Sequence, residues 1–131
     1  EGGPTPHSIP DRPFDLEVDI ATSPNQALIY RLSGDRNPLH SDPKFAKMVG
    51  FPRPILHGLC TYGICARAII QSHCGFDPAK LKEIDVRFSS PVFPGETVSV
   101  QMWQDGDIIS FEASVKSRDV TVIKNGRGVI A

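Results

Sequence analysis

Leu59-Cys60-Thr61-Tyr62-Gly63-Ile64-Cys65-Ala66-Arg67-Ala68-Ile69-Ile70 contains only two clearly polar residues, Thr61 and Arg67. Wound into a helix, this stretch carries apolar surface almost all the way round, with the small residues Gly63, Ala66 and Ala68 mixed in. A helix that is hydrophobic on every side is buried, not laid on a surface. The fold therefore turns on what the flanking sequence can wrap around it.

On the C-terminal side a polar loop, Gly75-Phe76-Asp77-Pro78, is followed by a change of period from helical to two. Ile84, Val86 and Phe88 alternate with Asp85 and Arg87. Val98, Val100 and Met102 follow the Pro94-Gly95 turn, and Ile109, Phe111, Ala113 and Val115 come next. Alternation of this kind marks strands with one buried face. Asp105-Gly106 is a two-residue hairpin signal between the last two runs. Val120–Ile130 is a weaker final strand.

On the N-terminal side, Phe14 to Ile20 alternates Leu16, Val18 and Ile20 with Asp15, Glu17 and Asp19, a half-buried strand. Ser23-Pro24 is an N-cap with proline at the first helical position, predicting a short helix through Tyr30 to Leu32 that Gly34 ends. Asp42-Pro43 repeats the signal for a helix of roughly two turns ending at Gly50. Phe51-Pro52-Arg53-Pro54 must be extended, because proline disfavours helical geometry in the residue before it. The order is strand, helices, one wholly buried helix, then four antiparallel strands. An α+β domain with one antiparallel sheet curled around the long helix satisfies every segment.

A chain of 131 residues fits one domain with a real core. At 40% hydrophobic and 22% charged residues it has ordinary globular composition. A net charge of −1, with basic residues scattered, gives no field to hold nucleic acid or anionic lipid. No stretch reaches the ~18 uninterrupted apolar residues of a membrane span. Cys60, Cys65 and Cys74 form no C-x-x-C pair, a pattern that suits thiols in a reducing, intracellular compartment. Residues 1–10 open Glu1-Gly2-Gly3-Pro4-Thr5-Pro6 and have the chemistry of a linker. The domain is expected over 11–131.

The loop Asp35-Arg36-Asn37-Pro38-Leu39-His40 gathers a carboxylate, an amide and an imidazole within six residues, stiffened by Pro38. Water needs a base near the reacting carbon, and an Asp/His pair can take its proton and return one to the adjacent carbon. Asp35 and Asn37 are also good turn formers in their own right. Leu56-His57-Gly58 stands where the buried helix begins. Unpaired N–H groups lie there, and Gly58 lets a ligand carbonyl approach the backbone. His57 is read as a packing or capping histidine. His40, Asp42 and His57 lack metal-ligand spacing, and Asp42 is explained as an N-cap. Cys60 lies on a helix expected to be buried, where thiols are inert. No phosphate loop or dinucleotide fingerprint is present.

Tyr30-Arg31-Leu32-Ser33-Gly34-Asp35-Arg36-Asn37-Pro38-Leu39-His40-Ser41-Asp42-Pro43 resembles the signature of the MaoC-like, or type 2, enoyl-CoA hydratases, and Pro54-Ile55-Leu56-His57-Gly58-Leu59-Cys60-Thr61-Tyr62-Gly63 matches it too. The resemblance runs from about Asp11 to the end. It is strongest to the C-terminal half of the hydratase 2 unit of peroxisomal multifunctional enzymes and to related stand-alone forms.

It implies a hotdog fold and reversible hydration of trans-2-enoyl-CoA to (3R)-3-hydroxyacyl-CoA in fatty-acid β-oxidation. It implies Asp35 and His40 as the catalytic pair, Asn37 orienting them and the water, and Gly58 N–H holding the thioester oxygen. Arg36, Pro38 and Leu39 would line the substrate from the loop, and Phe88, at an inward strand position, the acyl site. No metal or redox cofactor is implied, since CoA arrives with the acyl-CoA thioester substrate. Long members carry two hotdog units, so a partner unit is expected, either a missing N-terminal half or a second copy in a homodimer. The compartment implied is peroxisomal in a eukaryote and cytoplasmic in a bacterium. The alternatives are another hotdog acyl-thioester enzyme, such as a thioesterase or acyl-carrier-protein dehydratase, or a non-catalytic acyl-CoA-binding half.

Overall fold

A computed structural model describes residues 2–131. The chain forms β1 (Leu16–Ala21), α1 (Gln26–Tyr30), α2 (Pro43–Met48), α3 (Gly58–His73), β2 (Leu81–Phe88), β3 (Thr97–Asp105), β4 (Ile108–Val115) and β5 (Val120–Ile130). The five strands make one antiparallel sheet in the order β1-β3-β4-β5-β2, and α3 packs across its inner face. The segment from α1 to the start of α3 lies outside the sheet and carries the Asp35–His40 loop.

The alternating apolar residues supply the core. Val98, Val100 and Met102 of β3 and Ile109, Phe111, Ala113 and Val115 of β4 are fully buried beneath Cys65, Ala68 and Ile69 of α3. Each of the larger ones contributes roughly 1.5–3 kcal/mol relative to exposure. All three cysteines are free and buried, and burial pushes the Cys65 thiol up to about 12, so it behaves as an apolar residue. None of the helices is long and apolar enough to cross a membrane among the described residues.

Four expectations need correction. The long helix is not wholly buried: Leu59, Gly63 and Arg67 share one face and are exposed, with Leu59 65% accessible. The sheet curls around the rest of the helix and leaves this stripe open, and a sequence apolar all round cannot say which side is left uncovered. The first helix begins at Gln26 with Asn25 as its cap, and Ser23-Pro24 forms a turn ahead of it. In that turn the Ser23 N–H donates to Gln26 Oε1 at 3.1 Å while the Gln26 N–H donates to the Ser23 carbonyl at 3.0 Å. The β3–β4 turn residues are Gly106-Asp107, because Asp105 still pairs with Ile108. The strand read as weaker, β5, is the longest at 11 residues.

Residues 7–15 run over the outer face of the sheet. His7 Nε2 bonds Ser110 Oγ at 2.8 Å, and Asn125 Nδ2 donates to the His7 carbonyl at 2.9 Å. Trp103 Nε1 donates to the Arg12 carbonyl at 2.7 Å, and Phe14 sits edge-on to the Trp103 ring. Trp103 and Ser110 are thereby buried although they point away from α3. The end of the linker-like stretch is thus tied to β4 and β5.

Candidate active site

The Asp35–His40 loop is held by three local devices. Gly34, with φ +113°, turns the chain out of the short turn Arg31–Ser33 in a conformation that side chains resist. Asp35 Oδ1 then accepts the Asn37 N–H at 3.2 Å, and Asn37 Oδ1 accepts the Leu39 N–H at 3.0 Å, capping the single turn Pro38–His40. Asp42 caps α2 through the Lys44 and Phe45 N–H groups, as its sequence position predicts. The turn-forming and catalytic readings of Asp35 and Asn37 are therefore compatible. Asn37 spends its oxygen on the turn and keeps its amide N–H groups free.

The loop is also laced to the strand-like segment before α3. The Ile55 N–H donates to the Leu39 carbonyl at 3.2 Å, and His40 Nδ1 lies 2.8 Å from the Ile55 carbonyl. A carbonyl only accepts, so Nδ1 carries the proton and His40 keeps Nε2 free for chemistry. His40 is nearly buried, whereas Asp35 is exposed.

His57 packs, as its reading as a packing or capping residue expects, and its packing joins it to this constellation. Its backbone is the N-cap of α3, but its side chain caps nothing. The ring is 1% exposed and stacks on His40 with centroids 3.8 Å apart and planes 23° apart. Its Nε2–H donates to the Asp35 carbonyl at 3.1 Å, and Tyr30 packs on it at 4.7 Å. Burial holds the His57 imidazole below the ordinary histidine range, outweighing its bond to the Asp35 carbonyl. One buried, neutral ring thus touches both members of the proposed pair. Side-chain donor atoms of Asp35, His40 and His57 all lie within 4.8 Å of one another.

Gly58 follows directly. It opens the first turn of α3, where N–H groups lack intrahelical acceptors and no side chain caps them. A Cβ added at Gly58 would lie 3.3 Å from the Phe88 ring, which would have to give by a few tenths of an ångström. Phe88 reaches α3, its ring lying over Gly58, but at the end of edge strand β2, where no further strand covers it, it stays 54% exposed. Both line an apolar cleft of about 250 Å³ with Phe51, Ile55, Leu56, Thr61 and Val92. A second cleft, of about 150 Å³, is lined by His40, Ser41, Arg53, Pro54, Pro94 and residues of α1. Arg36 and Pro38 point to solvent, and neither they nor Leu39 line these clefts. Leu39 is tied to Ile55 by its backbone carbonyl.

A sheet curled on one helix in this way has known counterparts. A family model described as "MaoC like domain" matches residues 6–126. The chain belongs to this MaoC-like family. The peroxisomal enoyl-CoA hydratase 2 of Arabidopsis thaliana is 53% identical over 115 residues, covering 88% of this chain and 37% of that protein. The mouse peroxisomal multifunctional enzyme type 2 is 49% identical over 118 residues, 90% of this chain and 16% of that one. The crystal structure of a MaoC-like dehydratase from Phytophthora capsici superposes with a TM-score of 0.95 at 48% identity, covering 100% of this chain and 45% of that one. The MaoC-like domain described here thus has the hotdog fold, and it spans less than half the length of each of these relatives.

Proposed function

We propose that this MaoC-like domain is the catalytic unit of an (R)-specific enoyl-CoA hydratase, acting reversibly on trans-2-enoyl-CoA in fatty-acid β-oxidation. The observation that carries the reading is the cluster of Asp35, His40 and His57, within 4.8 Å of one another, with the uncapped start of α3 at Gly58 next in sequence to His57. The thioester oxygen is held at Gly58 N–H, which withdraws electrons from the double bond and stabilises the enolate formed as water adds to C3. Losing such a donor typically costs about 3 kcal/mol. Asp35 and His40 Nε2 share the proton work: one accepts the water proton while the other delivers a proton to C2. Asn37 offers its free amide N–H groups to the water or to Asp35. CoA is carried by the substrate, and no step requires another cofactor.

The names of the relatives favour hydration over thioester hydrolysis, and two of them are peroxisomal, which supports that location in a eukaryotic host. A second hotdog unit completes the protein in this reading. Leu28, Ile29 and Leu32 beside the catalytic loop, Met48 and Val49 at the end of α2, and Leu59 on α3 are all exposed. So many large apolar side chains left exposed on the elements around the Asp35–His40 loop favour a covered surface. The test is hydration of trans-2-decenoyl-CoA, followed by loss of absorbance of the conjugated thioester, in wild type and Asp35→Asn. Turnover abolished by the substitution supports the reading. Thioester cleavage in place of hydration contradicts it.

A further inference from the structure

We propose that Arg53 is the anion-binding residue for the CoA moiety of the substrate, receiving one of its phosphates; this rests on the acyl-CoA reading above. An acyl-CoA is apolar at one end and polyanionic at the other, so the two clefts can be assigned by their linings. The cleft at Gly58 has no charged side chain. Arg53 is the only lysine or arginine lining either cleft, and it shares its cleft with His40. It also borders the open surface groove that continues past Pro94 and Glu96 toward Lys116. It therefore stands at the junction between the catalytic histidine and solvent, where the polar arm of a thioester must leave.

The guanidinium is prearranged and makes no ion pair, although Glu96 in the same groove feels its charge. Its NH1 donates to the Pro94 carbonyl at 3.0 Å, and its plane lies 4.7 Å from the centre of the Phe93 ring. Arg118 covers the same ring at 4.8 Å, but Arg118 is taken up by Glu96. Arg53 has no carboxylate within 4.0 Å among the described residues. A planar fork held on one side with its remaining N–H groups free suits a phosphate better than a lysine would. Pro52 and Pro54 fix the backbone on both sides of Arg53, and two residues on, the Ile55 carbonyl holds His40. One stiff segment thus sets the spacing between the anion site and the catalytic ring.

The assembled protein should be assayed with three thioesters of the same 2-enoyl chain: on CoA, on dephospho-CoA and on pantetheine. In Arg53→Gln the ratio of kcat/KM for the CoA thioester to that for the pantetheine thioester should fall about tenfold, the size of one charge-assisted contact. Arg53→Lys should recover part of it. If the dephospho-CoA thioester shows the same fall, the pyrophosphate is bound; if it does not, the 3′-phosphate is. Either supports the site. An unchanged ratio overturns it, as does an equal loss on all three thioesters, which would mean only a disturbed Phe93–Pro94 contact. Should the wild-type protein hydrate none of them, the hydratase reading fails, and the site is then judged by calorimetry with decanoyl-CoA and decanoyl-pantetheine. There Arg53→Gln should weaken only the first, and equal Kd changes would overturn it.

Discussion

His40 and His57 show how much chemistry a few contacts set. Because Nδ1 of His40 is bound to the Ile55 carbonyl, its reactive nitrogen is Nε2, and Asp35 is presented to the same space by a loop tied to His57. Asp35→Asn and His40→Gln should each lower kcat by roughly 10²–10⁴ with little loss of melting temperature. The double variant should be little worse than the worse single one, because the two act as a unit; multiplicative losses would show independent roles. His57→Phe keeps a ring on His40 but loses the donor to Asp35, and kcat should fall by about ten- to a hundredfold through misplacement of the loop. His57 also makes stability depend on acid. Its folded value lies below the ordinary 6.5, so just below that pH the unfolded chain binds more protons and stability drops as pH falls. His73 shifts in the same direction. Thermal unfolding of wild type and His57→Gln between pH 7.5 and 5 should show a shallower decline in the variant, and parallel curves would mean His57 is not held neutral. The roles of Asp35, Asn37, His40 and Gly58 belong to the proposal, but the capped loop and the glycine opening α3 were legible from spacing and residue type. The stacking of His57 on His40 was not, because a histidine at a helix start signals nothing about a stacking partner 17 residues away.

Among the elements, β3 and β4 were read correctly because strict alternation survives into the structure, with every predicted inward residue fully buried. β5 was underrated because its pattern is broken by Gly126 and Gly128. The structure gives the breaks a cause: Val122 and Ile123 are both buried across a register shift, Asn125 has φ +54°, and Gly126 sits beneath Phe111. A Cβ at Gly126 would lie 2.5 Å from the Phe111 carbonyl oxygen, which cannot move aside as a side chain can. Gly126→Ala should therefore destabilise by roughly 1–3 kcal/mol, measured by urea unfolding, although alanine is ordinarily the better strand residue. A neutral result would show that β4 and β5 can part there at no cost. The α3 stripe was misread for the opposite reason. Its composition is apolar on all sides, and no periodicity remained to distinguish the face on the sheet from the face left open.

As a whole molecule, the MaoC-like domain exposes large apolar side chains on α1, α2 and α3, the elements around the Asp35–His40 loop, and both β1 and β2 end the sheet unpaired among the described residues. The reading of residues 1–10 as linker-like holds for composition, yet His7 is fastened to the sheet, an attachment no composition can reveal. With a second hotdog unit the contact should bury more than ~1,000 Å², above the size of most crystal contacts. Light scattering at assay concentration should give a species with two units, from one chain or two; full activity in a single-unit species would contradict the account. The central claim is tested most directly by the configuration of the product. trans-2-Decenoyl-CoA is hydrated with wild-type protein and the alcohol is divided between dehydrogenases specific for the 3R and 3S isomers. The account predicts oxidation by the 3R enzyme alone, and product oxidised only by the 3S enzyme would contradict it.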